Sequence, residues 1–160
     1  MVSGQDTPED NLADAEALDK VANQALLFGA LSAKAVGADT FEDPVMHTYF
    51  LHYIVGAIEA IGQYESLGEG DRVNAMGRAL MSFEGATREE VMSTLQMIYR
   101  AKDDAALRIR EEGRRAAEAW DGGENRDPVF RFAELLKDRD ANFPAEVEPS
   151  PPLTTPPGAH

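Results

Sequence analysis

Residues 43–65 read DPVMHTYFLHYIVGAIEAIGQYE. Wound at about 100° per residue, they leave almost no polar face. Met46, Phe50, Tyr53, Ile54, Ala57, Ile58, Ala60, Ile61 and Tyr64 cover one broad arc. Leu51 and Val55 widen it on one side and Tyr49 on the other. The polar remainder is a narrow stripe of Thr48, His52, Glu59, Gln63 and Ser66. A helix apolar around most of its girth has to be covered from several sides, so this one is expected at the centre of a bundle. Gly56, Ala57, Ala60 and Gly62 are small enough to let neighbouring helices come close.

The rest of the chain is punctuated for helices. Pro8, Pro44 and Pro128 follow Thr7, Asp43 and Asp127. Proline suits the first helical turn, where its missing N–H has no partner to lose, and the preceding Thr or Asp can accept from an orphan amide. Thr87–Glu90 (TREE) has the spacing of a capping box, and Asp71 after GEG is a further start. Gly37, Gly68 with Gly70, Gly85, and Gly122 with Gly123 read as stops. Helices are therefore predicted over 8–36, 44–67, 71–83, 87–120 and 127–140. No stretch alternates with period two for long enough to argue a strand. The expected fold is all-α: a compact helical bundle of about five helices, with one long helix in the C-terminal half. Six of the nine prolines fall in 144–160, so residues 1–143 are read as one helical domain and 144–160 as a disordered proline-rich tail. Pro149 and Pro152 have P-x-x-P spacing but no flanking basic residue, which favours a solubilising tail over a docking motif.

Three of the other predicted helices have a candidate buried face. In 8–36 it is Ala15, Leu18, Ala22, Ala25, Gly29, Ala33 and Val36. Leu26, Leu27 and Leu31 lie off it, as surplus apolar surface for another element or a second copy. In 87–120, Val91, Leu95, Ile98, Lys102, Ala105, Ile109, Gly113, Ala116 and Trp120 recur every three or four residues, a heptad-like seam about 50 Å long. Asp104–Arg108, Arg108–Glu112 and Glu111–Arg115 are spaced to pair at i,i+4. Trp120 is expected to anchor the turn against 127–140, whose face is Val129, Phe132, Ala133 and Leu136, with Phe130 beside it. Met46, Met76, Met81, Met92 and Met97 supply an adaptable lining, and any exposed subset would suit peptide or helix binding.

Charge and composition narrow the function. Net charge is −14, and residues 1–70 carry twelve acids against Lys20 and Lys34. Such a surface repels nucleic acid and anionic lipid, so neither is an expected partner, except for a chain that mimics nucleic acid. The absence of cysteine removes disulfides, thiol catalysis and thiolate metal sites. The N-terminus, MVSGQDTPEDN, has no signal-like apolar stretch, and a cytoplasmic location is expected. Use of Arg over Lys (eleven to four) and abundant alanine hint at a GC-rich bacterial or phage source.

His47 and His52 invite a metal reading, but neither follows a Glu by three residues, and they sit about 140° apart on a helix. No metal site, cofactor or catalytic residue is expected, and no phosphate-binding loop or nucleophile motif argues for an enzyme. Tyr49, His52, Tyr53 and Glu59 are the candidates for contacting a ligand, if the bundle holds a small apolar molecule or a tetrapyrrole. Arg108, Arg110, Arg114 and Arg115 are the candidates for a basic patch that receives an acidic protein, which could be a second copy's N-terminal helix. The leading expectation is an acidic helical protein that works by binding another protein, as a chaperone, adaptor, inhibitor or immunity-type protein. A structural homo-oligomer, such as a phage or assembly component, is the alternative.

Overall fold

The computed structural model describes residues 8–145, apart from the side chains of 8–14, Ala38, Phe83 and Glu84. The proposed Thr7 cap and the proline-rich residues 146–160 lie outside this range. Among the described residues there is helix and no strand. The long elements are α1 (Pro8–Val36), α2 (Pro44–Tyr64), α3 (Glu69–Glu84), α4 (Arg88–Arg100) and α5 (Asp104–Trp120). Short 3-10 turns and the one-turn helices α6 (Arg131–Leu135) and α7 (Arg139–Asn142) complete the described elements. No described helix is long and apolar enough to cross a membrane.

The local start signals act largely as their chemistry dictates. Asp43 accepts from the Val45 amide at 2.9 Å, with Pro44 in the first turn. Thr87 and Glu90 form the full capping box: the Thr87 amide donates to Glu90 Oε1 at 3.0 Å and the Glu90 amide to Thr87 Oγ1 at 3.2 Å. Gly85 ends α3 with φ of 67°, a conformation that side chains with a Cβ resist. Two expected starts moved. α3 begins at Glu69, not Asp71, because Gly68 takes the cap position; Asp71 instead places its charge in the first turn. Asp127 caps nothing: its amide donates to Asn125 Oδ1 at 3.2 Å, and 127–142 winds as successive short turns instead of one helix.

α2 is the core of the bundle, contacting α1, α3 and α5. Even its supposed polar stripe is interior at one end, since Thr48 and His52 are both fully buried. Tyr64, assigned to the apolar arc, is 78% exposed where the helix ends. The buried face of α1 is centred on Val21, Ala25, Phe28 and Ser32. The alanine stripe is part of that face, with Ala22, Ala25 and Gly29 buried and Leu18, Ala33 and Val36 packed against the core, and Phe28 widens it by inserting between Tyr53 and Trp120 at 6.2 and 5.2 Å. Trp120 thus packs against Phe28 of α1, within the same core cluster as Val129 and Phe132. Phe132 packs edge-on against Phe50 and Tyr53, both at 5.1 Å, which holds the C-terminal turns on the bundle.

The long helix expected over 87–120 is two helices. Ala101 (φ −64°, ψ 134°) and Asp103 (φ −63°, ψ 128°) are extended, and α5 restarts with Asp103 as its cap residue. No glycine or proline marks the break. Charge does: Arg100 and Lys102 suit a helix C-terminus, and Asp103 and Asp104 a helix N-terminus. The seam residues still face inward on both sides, with Val91, Leu95, Ile98, Ile109, Ala116 and Trp120 buried and Lys102 exposed in the break. Of the i,i+4 pairs, Glu111–Arg115 survives at 3.9 Å. Arg108 reaches the Ala141 and Asn142 carbonyls at 3.3 Å each, and Glu112 pairs with Arg131 at 2.6 Å.

α2 and α5 meet backbone to backbone. A Cβ on Gly56 would lie 1.9 Å from the Arg110 carbonyl oxygen, and one on Gly113 would lie 1.9 Å from that of Tyr53. Neither helix can yield without moving the whole interface. Gly56→Ala and Gly113→Ala should each cost about 3 kcal/mol or more. Gly77, inside α3, would meet nothing within 4 Å, so Gly77→Ala should stabilise by roughly 0.5–1 kcal/mol. Urea unfolding midpoints of the three variants test the contrast.

Candidate functional site

Several candidate residues converge on one polar cluster that runs from buried His52, through half-buried Arg110 and Glu59, to exposed Tyr99. Arg110 projects from α5 and donates from Nη2 to the Ile98 carbonyl at 2.5 Å, capping the end of α4. The same nitrogen lies 3.4 Å from His52 Nδ1. The guanidinium sits 5.6 Å from the Tyr99 ring centroid. Tyr99 in turn donates its hydroxyl to Glu59 Oε1 at 2.7 Å, with Met76 Sδ at 3.1 Å. His52, Glu59 and Arg110 thus belong to one assembly, joined by Tyr99. Sequence reasoning passed over Tyr99, which falls one residue beyond the apolar seam. The only local hint is its place beside the charge pattern that ends α4.

The geometry assigns the imidazole tautomer. An arginine N–H can only donate, so Nδ1 accepts and the proton resides on Nε2, which has no hydrogen-bond partner. Burial, and then the Arg110 charge, lower the His52 pKa from 6.5 to about 4. Tyr99 is pushed well above the usual phenol range, first by burial and then by its bond to Glu59. Burial raises Tyr53 likewise. These are settings that keep the three rings neutral.

The other candidates are held by the fold. Tyr49 donates to the Pro144 carbonyl at 2.5 Å and packs edge-on against Phe143 at 5.2 Å. Tyr53 is enclosed by Phe28, Phe50 and Phe132. Arg114 reaches Gln63 at 2.8 Å and Glu118 at 3.3 Å. Arg115 is open to solvent, with 73% of its side chain exposed. Arg108, Arg110 and Arg114 therefore tie α5 to its neighbours. Among the described residues no group of three or more His, Asp or Glu is placed to hold a metal ion.

The surface offers a different feature, with no counterpart in any short motif. α1, α3 and α4 enclose a mostly apolar groove of about 380 Å³. Leu18, Val73, Gly77, Met81, Val91 and Met92 line it, and Asn74, Arg78 and Arg88 stand with them. Met46, Met76 and Met97 are buried, so Met81 and Met92 are the half-buried methionines of this lining. Arg78 pairs with Asp19 at 2.6 Å. A second cavity, of about 400 Å³, lies between α1, α2 and α5, where Lys20 pairs with Glu65 at 2.6 Å. No family model, no curated protein and no solved structure matches this chain.

His52 makes stability depend on pH in a defined direction. Its folded pKa lies below the unfolded value, so the unfolded chain binds the extra proton first. The contribution is complete above about pH 6.5 and is lost as pH falls towards 4, on the order of 3 kcal/mol in all. His52→Gln should abolish this component. The difference between wild-type and variant unfolding free energies should change across that window and stay flat above it.

Proposed function

We propose that this chain is a helical protein-binding module whose binding face is the α1–α3–α4 groove. The observation that carries the reading is the pairing of an apolar, methionine-containing lining with Arg88, and with Arg78 in its pair with Asp19, on an otherwise acidic protein. Unbranched methionines adapt to varied apolar surfaces, so Met81 and Met92 suit a ligand whose contacts are hydrophobic. Arg88 occupies the first position of α4, where the helix dipole disfavours a cation and favours an anion. Glu90, nearby, is engaged in the capping box. The occupant that fits is an apolar peptide segment flanked by acidic residues, an amphipathic helix being the form that best fills a groove between helices.

Ala145 lies beside the start of α2, as its shared cavity with Asp43, Val45 and Met46 shows. The groove lies near Leu18, towards the other end of α1, where Lys20 meets Glu65 at the end of α2.

Methyl-labelled methionines provide the test. A synthetic amphipathic peptide with glutamates beside its apolar face should shift the Met81 and Met92 methyl resonances and leave buried Met46 unmoved. A sibling with lysines for glutamates should bind at least about tenfold more weakly. Equal response to both peptides, or no response at Met81 and Met92, would remove the groove as the binding face.

A further inference from the structure

The break between α4 and α5 separates a seam that is continuous in sequence. Val91, Leu95 and Ile98 before it and Ile109, Ala116 and Trp120 after it keep one spacing of three and four. Ala101 and Asp103 already have helical φ values, −64° and −63°, and depart from helix only in ψ. Returning 101–103 to helical angles makes Arg88–Trp120 one helix, with no glycine or proline in that segment to oppose it. Straightening would also pair the orphan carbonyls of α4's last turn with the orphan amides of α5's first turn. Asp103 makes no side-chain cap bond, so none is forfeited.

A straight helix is incompatible with the packing of a single chain. Ile98 and Arg110 would then be 12 residues apart along one axis, roughly 18 Å, far beyond the reach of an arginine side chain. Every polar tie that crosses the break has the same character. Arg110 to Ile98, Arg114 to Gln63, Arg139 to Asp43 and Tyr49 to Pro144 each join residues before it to residues after it. Each can be made identically to another copy, as can the Gly56–Gly113 contact. We propose that α4 and α5 straighten into one helix and that the arm 104–145 then completes the bundle of a second copy of this chain, giving an arm-exchanged dimer. The partner surface is complementary because it is the surface already buried within one chain. Exchange requires α5 to leave α2, so the dimer forms during folding at high concentration and then persists on dilution.

The test is refolding from denaturant across a range of protein concentrations, read by size-exclusion chromatography with light scattering. Wild type should yield a dimer fraction that rises with concentration and dissociates slowly. Asp104→Pro places proline at the first position of α5, after an extended Asp103, which repeats the Asp43–Pro44 arrangement of α2. It fits the bent form and interrupts the straight helix, so dimer yield should fall at least about 100-fold while the monomer retains its circular dichroism. Asp103→Ala removes a residue that favours the break, and should raise the yield. With no native cysteine, Gln63→Cys with Arg114→Cys can be joined by a short bismaleimide: the link should fall within one chain in the monomer and between chains in the dimer. A wild type that stays monomeric at every concentration, an Asp104→Pro chain that dimerises as well as wild type, or a dimer linked only within chains would each overturn the proposal.

Discussion

Everything in this bundle is arranged around two helices that touch through their backbones. Gly56 faces the Arg110 carbonyl and Gly113 faces that of Tyr53, so each glycine lies three residues after the carbonyl its own helix presents. One turn of each helix thereby supplies both a gap and an acceptor. The hydrogens standing where Cβ atoms would be point at those oxygens, in the geometry of Cα–H···O contacts that contribute about 0.5–1 kcal/mol apiece. Their larger effect is positional. With α5 seated this deeply on α2, Ile109 and Trp120 are carried into the core, and Trp120 reaches Phe28 on α1.

The same approach explains how a half-buried guanidinium is tolerated against the core. Arg110 shares its residue with the carbonyl that Gly56 accommodates, so its side chain starts from the most closely packed point of the interface. Its charge is met by the Ile98 carbonyl at the negative end of α4 and by the face of Tyr99. His52, the nearest titratable group, has to remain neutral beside it. The cluster connects three helices at the one place where the apolar seam is interrupted, and it positions α4 relative to the pair formed by α2 and α5.

How much of this could be read beforehand depended on the range of the interaction. Asp43 with Pro44 and Thr87 with Glu90 act within one turn, and their sequence alone was enough. The all-helical class followed from such signals repeated along the chain, and the central place of α2 from its lack of a polar face. The α4–α5 break was missed because the search for stops relied on glycine, whereas the marker was a reversal of charge across 100–104. The alanine stripe marked most of the buried face of α1, but not Phe28, which enters where the neighbouring aromatics leave room. Of the ligand and partner candidates, His52, Glu59 and Arg110 do share one cluster, but Tyr99 joins them from 40 residues beyond Glu59, and no local pattern announces that. The groove is composed by three helices and has no signature in any of them.

The hydroxyl of Tyr49 on the Pro144 carbonyl has a consequence for handling the molecule. It clamps the chain at the pole where α2 begins, while the α1–α3–α4 groove lies towards the opposite pole. A dye, an affinity tag or a solid support attached after Ala145 therefore departs from the far side of the bundle. Immobilised in that way, the protein presents its groove outward, with Arg78 and Arg88 facing the solution.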